Sequence, residues 1–214
     1  MSFPWLLRFG AVCGVLVGLS IGVPGVIESF TGETAATSFV IALGAAFGAP
    51  ALIAFQLHQG NAAGRFGDFA FAVNLVGFGL FTGVAFALNA VIFFLDAAVA
   101  AELLRGPARL AILGATVVFV AGTVLFTVSM ARARVYPRLP VYGYGVFLVA
   151  LALAAPLPDS LLTSGLHVAV CASLIWLSLS VWSAAARRGD LGARSGRTAD
   201  AALSGRGTHS GRVV

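Results

Sequence analysis

The sequence predicts an all-α fold: a polytopic membrane helical bundle of six transmembrane helices with both termini cytoplasmic. Three observations predict it. Of the 214 residues, 59% are hydrophobic and only 10% charged, with mean hydropathy +0.99. Soluble domains carry about 25% charged residues, so this chain cannot cover a water-facing surface. Apolar runs of roughly the length that crosses a bilayer recur along the chain. Finally, the thirteen basic residues are all arginine and are unevenly shared between alternate loops. The exclusive use of arginine reads as the codon bias of a GC-rich bacterial genome.

The first span is Trp5–Ile27. Arg8 gives it a short charged start, but the run is longer than a signal-peptide core and no small-x-small cleavage site follows, so it reads as a retained helix. It carries Gly10, Gly14, Gly18 and Gly22 in the segment GAVCGVLVGLSIG. Each interior glycine weakens a helix by roughly 1 kcal/mol relative to alanine. In a membrane that loss is offset when small residues let two helix backbones touch. The second span, Phe39–Leu57, has Gly44 and Gly48 at the same spacing, followed by Pro50. A short loop makes these spans antiparallel, and the glycines predict a tight hairpin; a homodimer seam through the first span is the other reading.

The third span, Phe69–Leu95, is long enough to tilt or to continue as an interfacial segment through Asp96–Leu104. At 100° per residue its Asn74, Thr82, Asn89 and Asp96 lie within about 80° of one another. The fourth span, Leu110–Ala131, aligns Thr116, Thr123 and Thr127 within about 40°. The fifth, Val141–Ala155, is short and begins beside Tyr142 and Tyr144, residues at home at a membrane interface. The sixth, Leu161–Ala184, gathers Ser160, Ser164, His167, Cys171 and Ser178 within about 60°. From Arg187 the composition turns to Gly, Ser, Ala and Arg, which cannot bury a core. The chain therefore divides into a six-helix transmembrane domain, 1–186, and a disordered cytoplasmic tail, 187–214.

Arginine sets the orientation. With both termini inside, the inner face carries Arg8, Arg65, Arg132, Arg134, Arg138 and the tail arginines, and the outer face only Arg105 and Arg109. Glu28, Glu33, Asp96, Glu102 and Asp159 collect outside. The loop ARARVYPRLP (131–140) reads as a topology anchor or, less simply, a partner site.

Catalytic signatures are missing: the chain has no HExxH, GxxxxGK[ST] or GxSxG and no paired carboxylates within a span, so no enzyme is expected. No cofactor is expected either. Cys13 and Cys171 sit inside apolar runs, and His167 with Cys171 makes too few ligands for a metal. A haem or redox role resting on these groups is weak, since His58 belongs to the opposite side of the membrane. The sequence pI of about 10.2 is explained by topology, so nucleic acid is not an expected partner. The bilayer is, together with a second copy or a membrane complex.

Intramembrane polar groups are the best pointers to function. Asn89 lies about 10 Å below Asp96 and His167 about 12 Å below Asp159 at 1.5 Å per residue. Were spans three and six neighbours, these residues would line an outward-facing pocket for a small cation, proton or amine. Asn74, Ser164 and Cys171 would sit along it, and Glu28, Asp96 and Asp159 near its mouth. The alternative is a non-catalytic structural or assembly subunit of a complex in the cell membrane, its polar stripes serving only packing.

Overall fold

The computed structural model describes residues 3–155 and 160–207, with side chains described through Arg187. All regular structure among them is helical: α1 (Phe3–Thr31), α2 (Ala35–Gly44), α3 (Gly48–Gln59), α4 (Gly64–Ala90), α5 (Ala97–Leu103), α6 (Pro107–Ala133), α7 (Arg138–Ala154) and α8 (Leu161–Gly207). Four stretches are helical, long and apolar enough to cross a membrane: Phe3–Thr31, Ala35–Phe94, Pro107–Ala133 and Leu161–Arg187. The segment Arg138–Ala154 is apolar but shorter.

The second stretch doubles back on itself. Gly60 (φ +51°) and Gly64 (φ +59°) adopt backbone that side-chain-bearing residues rarely enter, and the chain reverses there. Gln56 donates a hydrogen bond to Asp68 (3.0 Å), Gly48 lies against the Phe78 ring, and the Phe39 and Phe94 rings are 5.2 Å apart. These pairs step away from the turn in opposite directions along the chain, so α2–α3 forms one rod antiparallel to α4. Thr34 opens α2 with a reciprocal cap, its hydroxyl accepting from the Thr37 N–H while the Thr37 hydroxyl accepts from the Thr34 N–H.

The remaining contacts have the same antiparallel character. Gly77 of α4 faces Phe119 of α6, Asn74 faces Gly122, and Gly67 faces Ser129. Gly145 of α7 lies against Thr127 of α6, and Gly143 of α7 against Ser173 of α8. Helix α8 returns to α1, where Gly14 meets Ser178, Gly22 meets Cys171 and Gly25 meets His167. Each rod thus packs on its neighbours in sequence, and the last packs on the first, closing a ring. Phe55, Phe119, Phe126, Met130, Leu177 and Val181 fill its interior. Leu43, Leu80, Val117, Leu153 and Leu179 are exposed on the outside, an apolar surface that suits lipid tails.

Two expectations are corrected here. The glycines of α1 do not form only a hairpin seam. Gly10 sits on Ala54 and Pro50 of α3 and Gly44 on Ser20, as a hairpin requires, but Gly18 and Gly22 pack on α8, and Gly14 touches both partners. Gly48 serves α4 rather than α1. That face of α1 is filled by its own chain, so a homodimer seam has no room there. The third helix also ends at Ala90, short of the expected Leu95, and the chain beyond it carries on as a separate short segment. The backbone breaks at Val91 (φ −125°, ψ −61°), passes through a tight turn at Ile92–Phe94, and restarts as α5 after Asp96. At the C-terminal end, the boundary at 187 falls within α8, and residues 208–214 lie outside the described part.

Candidate functional site

Three polar clusters are built into the described part of the bundle. The first lies at its centre. Glycine at 77 and 122 brings the α4 and α6 backbones together: a Cβ on Gly122 would stand 2.5 Å from Asn74 Cα, and one on Gly77 would stand 2.7 Å from Phe119 Cα. That close approach leaves the Asn74 amide fully buried at the contact. Its Nδ2 donates to the Tyr144 hydroxyl (3.0 Å), and its Oδ1 accepts from the Thr123 hydroxyl (3.3 Å). The network ties together α4, α6 and α7, and its amide oxygen and nitrogen are both engaged. Interhelical hydrogen bonds of this kind contribute about 0.6 kcal/mol each, with a maximum near 1.7. One residue of each stripe, Asn74 and Thr123, thus meets the other across α4 and α6, whereas Asn89, Thr116 and Thr127 bond carbonyls of their own helices.

The second site lies on the seam between α1 and α8, at the acidic end of the bundle. The His167 ring lies over Gly25, where no other residue would leave it space. Its Nδ1 is 2.7 Å from the Thr163 carbonyl oxygen, which can only accept. Nδ1 therefore carries a proton in this arrangement, and Nε2 is the nitrogen able to take up another. Along the same antiparallel register Glu28 falls opposite Ser164, within a turn of His167. Glu28 is only 7% exposed. It stands near the start of α8, where Ser160 and Thr163 form a reciprocal cap (3.2 and 2.8 Å) and the positive end of the helix dipole favours a carboxylate. Cys171 lies a turn deeper, against Gly22. A small apolar groove of about 320 Å³ opens beside the seam, lined by Gly22, Val23, Val26, Ile27, Val168 and Cys171.

Of the residues expected to share one pocket, the structure brings together Glu28, Ser164, His167 and Cys171. It does not bring Asn89 to them. Asn89 donates to the Ala85 carbonyl of its own helix (2.9 Å). Its helix packs on α6 and on α2–α3, whereas α8 packs on α1 and α7. The physical reason is the ring order, which sets the third and sixth rods across from each other instead of side by side. Asp96 is exposed and has left the helix that carries Asn89. Asp159 lies outside the described residues.

Sequence reasoning missed a third polar cluster, at the arginine-rich end. Tyr136, in the turn between α6 and α7, is buried and donates to the Phe55 carbonyl (2.9 Å); its ring lies 5.0 Å from that of His58. Burial holds the Tyr136 phenol well above its usual pKa. Nearby, Gln59 donates to Gln56 (3.4 Å) and accepts from Ser129 (3.4 Å), extending the Gln56–Asp68 bond into a chain across three rods. The tyrosine between two arginines and a proline was the available signal.

Among the described residues, no group of three His, Cys, Asp or Glu side chains could hold a metal ion. Length and apolarity of the helices point to a membrane protein. No family model matches the chain, nor does any curated protein or solved structure.

Proposed function

We propose that this is a six-span protein of a bacterial cell membrane, both termini cytoplasmic, that binds or moves a proton, small cation or amine at the outer end of the α1–α8 seam. The observation that carries the reading is Glu28: a carboxylate only 7% exposed near the end of α1, set by the α1–α8 register within a turn of His167. Burying a carboxylate at the end of a membrane helix is costly unless it is paired, which makes such a residue a candidate functional group. In this reading Glu28 supplies the negative charge, and His167 Nε2, the ring nitrogen left open by the Nδ1 contact with Thr163, is the proton-carrying position. Ser164 and Cys171 line the approach. The acidic residues Glu33, Asp96 and Glu102 at the same end raise the local cation concentration.

Reconstitution into liposomes tests it. Wild-type vesicles should dissipate an imposed proton, sodium or methylammonium gradient faster than empty ones, and Glu28→Gln or His167→Ala should reduce that flux at least tenfold while leaving the melting temperature of the purified protein nearly unchanged. Wild-type vesicles no leakier than empty ones under all three gradients would remove the transport reading.

A second reading, a non-catalytic assembly subunit, is favoured by the Asn74–Thr123–Tyr144 network, whose polar groups are spent on holding helices together. It predicts co-purification from native membranes with a partner in fixed ratio, and no flux.

A further inference from the structure

The arginine-rich turn between α6 and α7 is more than a charge that fixes orientation. Helix α6 ends at Ala133, Arg134 takes a left-handed conformation (φ +53°), and Pro137 precedes the first residue of α7, Arg138. This tight reversal gathers Arg132, Arg134 and Arg138 around an open cleft of about 610 Å³, whose other lining residues are Thr127, Val128, Ala131 and Tyr142. No acidic side chain lines it. Arg132 is held from one side, its guanidinium 4.9 Å from the centre of the Phe66 ring. The N-terminus of α7, a helix of 17 residues, adds its positive dipole end to the same place.

Three arginines lining one cleft repel one another unless an anion sits among them. Arginine's planar fork matches phosphate oxygens two at a time. Directly beneath the arginines the walls turn apolar, through Val128 and Ala131 on α6 and the Tyr142 ring on α7. Exposed Val124 and Val146 continue that surface toward the middle of the bundle. A charged rim above an apolar wall has the shape of a phospholipid, with its phosphate at the helix ends and its chain along the helices. A soluble phosphate would use the rim and leave the wall bare.

We propose that the Arg132–Arg134–Arg138 cleft is a binding site for the phosphate of an anionic lipid headgroup. It is independent of the α1–α8 seam, which lies at the other end of the bundle.

The test uses the full chain purified in neutral detergent, with lipid adducts counted by native mass spectrometry. The protein should retain short-chain phosphatidylglycerol at concentrations about tenfold lower than phosphatidylcholine, in keeping with the attraction of clustered arginines for anionic lipid. Arg132→Gln, Arg134→Gln and Arg138→Gln together should erase that preference. The Arg105→Gln, Arg109→Gln pair at the opposite end should keep it. If the triple glutamine variant does not fold, the triple lysine variant carries the test: it keeps the charge, loses the fork, and should fall between wild type and no preference. Equal retention of the two lipids by wild type, or an equal loss in the Arg105/Arg109 pair, overturns the proposal. So does competition by inorganic phosphate at concentrations comparable to phosphatidylglycerol, which would assign the cleft to a soluble anion.

Discussion

Asn74 shows how a single amide can be placed by its neighbours' lack of side chains. Its burial depends on Gly122, and its two hydrogen bonds reach two different helices. Asn74→Ala should lower stability by about 1 kcal/mol, because it strands the Tyr144 and Thr123 hydroxyls in the core. Chemical or thermal unfolding in detergent measures this, and a cycle with Tyr144→Phe should show a coupling of about 0.5 kcal/mol or more. Additive losses from the two variants would show that the bond contributes nothing. Asn74 and Thr123 were legible in the sequence because a helical period aligns them with other polar residues. Tyr144 was not. It reads as an interfacial residue beside Tyr142, yet it is 2% exposed and Tyr142 is 53% exposed. Two residues apart on a helix is about 200° of rotation, so adjacent aromatics in a sequence face opposite ways.

At the scale of elements, glycine decides which helices touch. Gly77 and Gly122 meet backbone, which cannot move aside, whereas Gly79 on the same helix has open space around it. Gly122→Ala should therefore cost several degrees of melting temperature, and Gly79→Ala should be neutral or raise it, as alanine is the better helix former by up to about 1 kcal/mol. On the other tight pair, Gly14→Ala would strike the Ser178 hydroxyl. Adding Ser178→Ala should restore part of the loss, since the obstruction is mainly a side-chain oxygen. Failure of that rescue would argue that α1 and α8 are not in this register. The spacing of Gly10, Gly14, Gly18 and Gly22 announced a close contact but not its partner, because a small-residue face records a distance of approach and not what stands opposite. The break at Val91 was equally hidden: Val91–Leu95 is as apolar as the helix before it, so hydropathy runs on while the backbone turns.

For the whole molecule, the sequence predicted an even number of antiparallel rods with arginine concentrated at one end, and the helix registers put Arg8, Arg65, Arg132, Arg134 and Arg138 at the end opposite Glu28 and Glu102. The proposed topology follows: in intact cells a membrane-impermeant thiol reagent should label Glu102→Cys and should reach Asn61→Cys only after permeabilisation. The reverse pattern would invert the molecule and move the α1–α8 seam to the cytoplasmic side. What the sequence could not supply was the ring order. The shared pocket for Asn89 and His167 assumed that spans three and six adjoin, and depth along a helix carries no information about which rods are neighbours.

The ring closes on α8, which is made well after α1. Synthesis runs at about 5–20 residues per second, so α1 enters the bilayer many seconds before α8 can meet it. Through that interval Gly18, Gly22 and Gly25 present bare backbone to lipid or to any passing helix, while Gly10 already rests on α3. The first hairpin acts as a holding station that keeps Gly10, and in part Gly14, occupied until the final partner of the others emerges. A ribosome stalled before Leu161 would leave an open groove where the finished protein has its seam, and such arrested chains should be the ones that quality-control proteases in the membrane remove first.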